Sequence, residues 1–194
     1  MAGRLHRLKI ATVLLALAAG IGVATAPAAT SFPDPVGDVE GGPGPDIASI
    51  SVSHTHSTVT FRFRFTKAPP LGISAREGWV DMLLIGIDVP PRSLKRTPNG
   101  WMGLDFYAGL HGTENTAIVV KASPTKPSQP RKVVARPKVT VSGRTLSFSV
   151  RRAALGNPSW VEFVAAAGRE MSDPGRSGGS DEAPNRGTFH YKLR

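Results

Sequence analysis

The feature that most constrains the fold of this chain is a strict alternation of apolar and polar residues from Thr58 to Thr66, which read T-V-T-F-R-F-R-F-T. Successive side chains of a β-strand point to opposite faces, so a period of two predicts a strand with one buried and one exposed face. The apolar face consists of Val59, Phe61, Phe63 and Phe65, and the polar face consists of Thr60, Arg62 and Arg64. The fold must therefore contain a sheet that covers a core on one side.

The neighbouring segments have the same β character. Residues 47–53 alternate in the same way, and a turn at 54–57 joins them to the strand above as a hairpin. A second hairpin pairs residues 139–141 with 146–150 across Gly143, which supplies the positive φ that such turns often need. Residues 78–89, between the hairpins, are apolar on both faces and predict a central strand that is covered on both sides.

Further strands are predicted at residues 102–110, 117–121, 160–167 and 189–193, and the helical pattern is limited to one turn at 151–155. Residues 124–138 are rich in proline and basic side chains, which predicts an exposed loop with a ragged edge strand at Val133 and Val134. About nine short strands without amphipathic helices predict an all-β fold, a two-sheet antiparallel β-sandwich of the jelly-roll type.

The N-terminal segment has the three parts of a secretory signal peptide. Three basic residues precede an uncharged run at 10–26, and Ala26 and Ala28 are small enough for the −3 and −1 positions of a cleavage site. We expect removal of residues 1–28, with cleavage after Ala28 or Ala29, and a single secreted or cell-envelope domain at 29–194. A retained membrane anchor is the alternative, but the apolar part of the run is shorter than the ~20 residues of a spanning helix. No later segment is apolar enough to span a bilayer.

The chain is basic, with 24 Lys and Arg against 14 Asp and Glu, and it contains no Cys. Disulfides and Cys-based zinc sites are therefore excluded. Many of the basic residues lie in predicted loops, including Arg92, Lys95, Arg96 and the segment from Lys126 to Lys138, without a recognition helix or an aromatic-basic strand pattern. Nucleic acid is not the expected partner. Two interpretations stay open: attraction to anionic wall polymers or membrane headgroups, and ordinary solvated loop charge.

An acidic segment opens the predicted domain. Asp34, Asp38, Glu40 and Asp46 are separated by Gly and Pro residues that allow sharp turns. Ca²⁺ takes 6–8 oxygen ligands, which carboxylates and loop carbonyls supply, so Asp34, Asp38 and Asp46 are candidate metal ligands. The alternative is that Asp34 and Asp38 form turns by accepting hydrogen bonds from nearby backbone amides.

Several motifs occur in an order known from other secreted proteins. Asp34-Pro35-Val36-Gly37-Asp38 is followed by a Gly/Pro-rich loop, an Asp46-Ile47 pair, Gly103-Leu104-Asp105-Phe106-Tyr107 and the ending Asp181-Glu182-Ala183-Pro184-Asn185-Arg186-Gly187. The chain resembles β-sandwich modules related to family 9 carbohydrate-binding modules, DOMON-like domains and the C-terminal domain of glucodextranase. The resemblance covers nearly all of residues 29–194. One departure concerns the acidic pair that ends a core strand in these modules, because only Asp88 is present here and Pro90 and Pro91 follow.

The resemblance implies carbohydrate binding, and flat sugar faces stack on aromatic rings while hydroxyls bind fixed polar groups. Trp79 and Trp101 are the candidate stacking residues, with Asp105 and Asp88 as acceptors for sugar hydroxyls. The alternative is that the tryptophans pack in the core.

Catalysis has no support in the sequence, which lacks G-x-S-x-G and H-E-x-x-H motifs. His54 and His56 are spaced for transition-metal chelation, and DOMON relatives bind haem through Met and His, here Met82, Met102 and His111. We expect a secreted non-catalytic module that binds carbohydrate or a cell-surface glycan. The alternative is a basic envelope protein that binds an anionic wall polymer or membrane surface.

Overall fold

The protein is described here by a computed structural model that covers residues 28–69, 79–91, 103–111, 115–122, 132–171 and 177–193. Twelve β-strands form two antiparallel sheets, and the one helical element in these residues is a 3-10 turn at Arg152–Leu155. The predicted all-β, two-sheet sandwich is confirmed, as is the single helical turn. In the described part of the chain, no helix is long and apolar enough to cross a membrane.

The first sheet has five strands in the spatial order β1-β2-β3-β9-β8. Its strands are β1 Thr30–Pro33, β2 Ile47–His54, β3 Thr58–Phe65, β8 Val139–Ser142 and β9 Thr145–Arg151. Both predicted hairpins lie in this sheet: β2 pairs with β3, and β8 pairs with β9 across Gly143, whose φ is 55°.

The second sheet has seven strands in the order β11-β10-β4-β5-β6-β7, with β12 pairing with β10. Its strands are β4 Trp79–Asp88, β5 Phe106–His111, β6 Ile118–Lys121, β7 Lys132–Ala135, β10 Trp160–Met171, β11 Ser177–Ala183 and β12 Phe189–Lys192. β7 contains the predicted edge strand at Val133 and Val134.

The core lies between the sheets, and the alternation of β3 supplies much of it. Phe61 and Phe63 are fully buried and Phe65 is nearly so, whereas Arg62 and Arg64 are exposed. The Phe61 ring packs edge-on against Phe163 of the opposite sheet, with centroids 5.6 Å apart. The predicted inward and outward faces of β3 are therefore confirmed.

The prediction for β4 is only partly right. Ile85 and Ile87 point into the core, and Gly86 lies on the opposite face, where the fully buried Leu104 covers it so closely that a Cβ on Gly86 would meet the Leu104 side chain. Leu84, on that same outer face, is 38% exposed. The cover therefore extends over one end of the outer face of β4 and does not reach Leu84.

Two strands were not predicted, which accounts for most of the difference between about nine strands and twelve. β1 has only four residues and ends in Pro33, and β11 reads S-G-G-S-D-E-A, which has no apolar alternation. Both lie at sheet edges, where each pairs with one neighbouring strand of its own sheet. Residues 1–27, Arg92, Lys95, Arg96, Trp101, Met102 and Lys126 fall outside the described residues.

Candidate metal centre at the opening loop

The opening loop (residues 34–46) connects the end of β1 to the start of β2. Asp34 follows β1 directly, and Asp46 precedes β2. The loop crosses to the other sheet, where Glu40 and Ser180 of β11 exchange backbone hydrogen bonds of 2.8 and 2.9 Å. Because β1 and β11 are edge strands of different sheets, this loop links the two sheets at one side of the sandwich.

Glycine makes this close approach possible. A Cβ on Gly179 would overlap the carbonyl oxygen of Gly42, and a Cβ on Gly44 would overlap that of Gly179. These overlaps leave no room for a side chain at either position. The backbone of the opening loop is therefore packed directly on the backbone of β11, and this contact carries the loop carboxylates toward Asp181.

Three carboxylates meet at this junction. Oxygen atoms of Asp34, Asp38 and Asp181 all lie within 4.8 Å of one another. Asp34 is 6% exposed and Asp181 is 1% exposed. A small cavity of about 110 Å³ lies beside them, lined by Asp38, Asp181, Asn185 and their neighbours.

Asp38, Asp46 and Asp181 each have one carboxylate oxygen that accepts a hydrogen bond. The amide of Ile47 donates to Oδ2 of Asp181 at 2.6 Å, and the amide of Gly37 donates to Oδ2 of Asp46 at 3.0 Å. The side-chain amide of Asn185 donates to Oδ2 of Asp38 at 2.7 Å. These bonds orient the carboxylates and leave their second oxygens for another partner.

Five carboxylate oxygens of the trio Asp34, Asp38 and Asp181 and of Asp46 are shielded from solvent and accept no hydrogen bond from the described residues. They are both oxygens of Asp34 and Oδ1 of Asp38, Asp46 and Asp181. Buried polar groups in folded proteins nearly always have partners, and a buried unpaired charge is particularly costly. A group of oxygens of this kind is suited to a cation or to protonated carboxyl groups.

The pKa values of two of these carboxyl groups are raised, which shows that their negative charges are poorly compensated. Burial, with the negative charges of Asp181, Asp38 and Asp46, raises the pKa of Asp34 to about 7. Burial also raises the pKa of Asp181 to about 6, helped by Asp38 and Asp46 and opposed by the hydrogen bond from Ile47. Without a cation, the cluster therefore resists full ionisation near neutral pH.

The turn-forming alternative does not describe this arrangement. Asp34 accepts no hydrogen bond from the described residues, and the donor to Asp38 is the side-chain amide of Asn185, 147 positions away. Asp46 does hold a backbone amide, that of Gly37. The closest trio contains Asp181 in place of Asp46. Sequence reasoning missed Asp181 as a member of this group, although the ending D-E-A-P-N-R-G places an acid there.

The residues predicted to contact sugar hydroxyls lie inside the fold. Asp88 is 0% exposed and Asp105 is 5% exposed. Oδ2 of Asp105 accepts a hydrogen bond from the amide of Val89 at 3.1 Å, so this carboxylate ties the end of β4 to the segment before β5. Trp79 begins β4, but its side chain and the whole of Trp101 lie outside the described residues.

An open cleft of about 580 Å³ lies next to Asp105. Its lining includes Pro90, Phe106, Lys121, Lys132 and the 3-10 turn. The cleft therefore combines apolar surface with two basic side chains, close to the sequence motif that includes Asp105.

The histidines at the β2–β3 turn form a different arrangement. Nδ1 of His54 and the hydroxyl of Tyr191 are 2.8 Å apart. Among the residues that the structure describes, His54 and His56 belong to no three-ligand group of the kind formed by the aspartates. The side chains of Met82 and His111 and the whole of Met102 lie outside the described residues, so the haem alternative stays a sequence-based hypothesis.

No protein-family model matches this chain, and no curated protein matches it at a significant level. The resemblance to family 9 carbohydrate-binding modules and DOMON-like domains therefore remains a prediction from motifs.

Proposed function

We propose that Asp34, Asp38, Asp46 and Asp181 bind a calcium ion and that the chain is a calcium-stabilised β-sandwich module. The observation that carries this proposal is the set of five shielded carboxylate oxygens without hydrogen-bond partners. A divalent cation offsets the cost of burying these charges, because it replaces the water that the oxygens have lost.

The donor set favours calcium over other metals. All the candidate ligands are oxygens, which suit hard cations, whereas zinc and copper sites use His and Cys. The ligands come from a Gly/Pro-rich loop and a strand edge, and Ca²⁺ accepts irregular arrangements of 6–8 oxygens. Mg²⁺ requires near-ideal octahedral geometry and keeps more of its water. Loop carbonyls or waters complete the coordination in this proposal.

The proposed role of the ion is structural. Its ligands come from the end of β1, the opening loop, the residue before β2 and β11, so the ion ties the edge strands of both sheets together. An ion that binds the folded state and not the unfolded state raises stability by mass action.

A calcium titration of thermal unfolding tests this proposal. We expect the melting temperature of the wild type to rise with Ca²⁺ after removal of metal by EDTA, and the response to Mg²⁺ to be smaller. Asp38→Asn removes one ligand charge at a partly exposed position and should abolish most of the rise. Glu162→Gln, on β10 outside the cluster, makes the same charge change and should respond as the wild type does. A wild type without any calcium response would refute the site.

We further propose that the ligand of this secreted, non-catalytic module is a carbohydrate, bound in the cleft beside Asp105. The cleft supports this because its volume of about 580 Å³ lies in the range of small-molecule sites and its lining mixes apolar and polar groups. In this proposal Asp105 shapes the cleft and does not contact the sugar directly, since its carboxylate accepts a hydrogen bond from the amide of Val89 in the cleft lining. Trp101 lies two residues before the motif that begins at Gly103 and contains Asp105, and it is the proposed stacking residue.

A glycan screen at low and high salt tests the cleft. Binding by stacking and hydroxyl contacts persists at high salt and quenches tryptophan fluorescence, whereas binding by charge is screened. Ala153→Trp places a bulky side chain in the lining and should abolish glycan binding. Ser159→Trp, at an exposed position outside the lining, should leave it unchanged. Equal affinities for the two variants would refute the cleft as the sugar site.

A further inference from the structure

The outward face of the five-stranded sheet has an unusual composition. Its five strands contain no acidic residue, although acids occur in strands of the other sheet, such as Asp88 and Asp181. The outward residues are almost all hydroxyl or guanidinium groups. We call this set the hydroxyl–arginine face, which consists of Ser31, Ser49, Ser51, Ser53, Thr58, Thr60, Arg62, Arg64, Thr140, Ser142, Thr145, Ser147, Ser149 and Arg151.

The strand register arranges these side chains in rows. One row crosses all five strands in the order Ser31, Ser51, Arg62, Ser147, Thr140. The next row, two residues along β3, is Pro33, Ser49, Arg64, Thr145, Ser142. Each arginine therefore stands between hydroxyl-bearing residues on both neighbouring strands.

The spacing of this pattern follows from strand geometry. Neighbouring strands lie about 4.8 Å apart, and residues two apart on one strand are separated by roughly 7 Å. Arg62 and Arg64 are both exposed and point the same way, so their guanidinium groups form two successive cationic positions along β3. Thr60 and Ser149 share a 2.7 Å hydrogen bond on the same face, which extends the hydroxyl array beyond Arg62.

The chemistry of the face suits phosphate groups. A guanidinium forms bidentate hydrogen bonds with phosphate oxygens, and Ser and Thr hydroxyls donate to phosphate in many complexes. Single-stranded nucleic acid also needs aromatic rings for base stacking, and no aromatic side chain belongs to the hydroxyl–arginine face. Insertion into a bilayer needs apolar side chains, and this sheet offers few of them: Pro33 points outward and Val141 of β8 is 43% exposed.

We propose that the hydroxyl–arginine face binds an extended, non-nucleotide polymer with repeating phosphate groups, which lies along β3. Successive phosphates of the polymer contact Arg62 and Arg64, and the flanking serines donate to the remaining phosphate oxygens. None of the residues of this face lines the cleft beside Asp105. The inference does not rest on the calcium site or on carbohydrate binding.

Binding of inorganic polyphosphate tests the proposal directly. We expect the wild type to bind long-chain polyphosphate with an affinity that falls with salt. The pair Arg62→Gln and Arg64→Gln should lower the affinity by about a hundredfold, since each charged hydrogen-bond partner contributes roughly a factor of ten. The slope of log affinity against log salt should fall by about two, one for each lost phosphate contact.

Two comparisons separate a built surface from general attraction to a basic protein. Arg186→Gln with Lys192→Gln removes the same charge from exposed positions outside the face and should change the affinity little. Ser51→Ala with Ser147→Ala keeps all charges but removes the hydroxyls beside Arg62, and it should weaken binding measurably. Unchanged melting temperatures confirm that the variants are folded.

Three outcomes would overturn the proposal. The first is a wild type that does not bind polyphosphate. The second is an equal loss of affinity in the two charge variants, which would indicate non-specific attraction. The third is stronger binding to single-stranded DNA or to anionic phospholipid vesicles than to polyphosphate, which would assign the face to one of those partners.

Discussion

Asp34 has an environment unlike that of an ordinary surface carboxylate. Both of its oxygens are shielded and unpaired, and three other carboxylates lie around it. In the absence of metal the charge of Asp34 opposes folding, whereas in the proposed site the same charge binds calcium. Loss of this charge should therefore stabilise the metal-free protein and destabilise the calcium-bound protein.

We predict that Asp34→Asn raises the melting temperature of the metal-free protein above about pH 7, because it relieves carboxylate repulsion. The same variant should lose most of the stabilisation by calcium. Thermal unfolding with EDTA and with excess Ca²⁺ measures both effects, and Glu162→Gln serves as the charge-matched control. Destabilisation of the metal-free form by Asp34→Asn would contradict the repulsion.

The raised pKa values of Asp34, about 7, and Asp181, about 6, predict two opposite pH dependences. Between about pH 4 and pH 7 the metal-free folded state holds protons that the unfolded state has released, so its stability falls as pH rises. Calcium binds the ionised carboxylates, so its affinity rises over the same range. Melting temperatures measured across this range with EDTA and with Ca²⁺ should diverge as pH increases. A calcium-dependent rise in melting temperature that is equal at about pH 4 and about pH 7 would contradict this prediction.

Phe63 gives a third prediction at the residue scale, one that tests the core. Its side chain is fully buried and stacks on Phe148, with centroids 6.1 Å apart. Phe63→Ala should lower the free energy of unfolding by ~3–5 kcal/mol, through lost burial and a cavity. Chemical denaturation measures this, and Arg62→Ala, at the adjacent exposed position, should cost much less.

At the scale of elements, the contact between the opening loop and β11 controls the proposed metal centre. Gly179→Ala would place a methyl group against the carbonyl of Gly42, so the loop must move away from β11. We predict that this variant stays folded but loses its calcium response. Gly109→Ala in β5 is the matched control, because its new methyl group meets only the Leu84 side chain at 3.8 Å. An unchanged calcium response in Gly179→Ala would show that the contact does not set the site.

Strands such as β3 are predictable from sequence because their own residues carry the pattern. Its Phe and Arg residues alternate without interruption, and burial of one face explains that alternation. β11 has no such pattern, since it exists as a strand because β10 offers a free edge that it can pair with. The sequence also did not reveal that only part of the outer face of β4 is covered, because the covering residue Leu104 lies 18 positions from Gly86 in the chain.

The candidate metal centre also combines residues that a local sequence pattern contains with one that only the fold brings near. Asp34, Asp38 and Asp46 lie in one short acidic segment with Gly and Pro, so local composition alone makes them candidates. Asp181 reaches the cluster only because β11 returns beside the opening loop, and its carboxylate holds the amide of Ile47 across 134 positions of sequence. No local pattern contains that information. The burial of Asp88 and Asp105 likewise follows from packing and not from their motifs.

At the scale of the whole molecule, the sandwich separates three surfaces that the proposals use. The proposed calcium ion lies where the opening loop joins the two sheets, and the cleft beside Asp105 lies next to the 3-10 turn. The hydroxyl–arginine face is the outward side of the five-stranded sheet. The arginine pair lies on β3 and the proposed metal ligands lie on other elements, so separate substitutions test the two proposals.

The N-terminal boundary of the folded domain gives the last prediction. We expect the signal peptide to be cleaved so that the mature chain begins at Ala29 or Thr30, which N-terminal sequencing of the exported protein measures. Thr30 is the first residue of β1 and pairs with Val52, so this cleavage leaves the strand complete.

A chain that begins at Asp34 should behave differently, because it lacks β1. It loses the Phe32 ring, which lies 5.3 Å from Phe163 and 5.0 Å from Phe189, and it exposes the backbone edge of β2. We predict a markedly lower melting temperature and a weakened calcium response for this chain, relative to one that begins at Ala29. Equal stability of the two would show that β1 contributes nothing to the sandwich, and a mature protein that retains Met1 would contradict the cleavage.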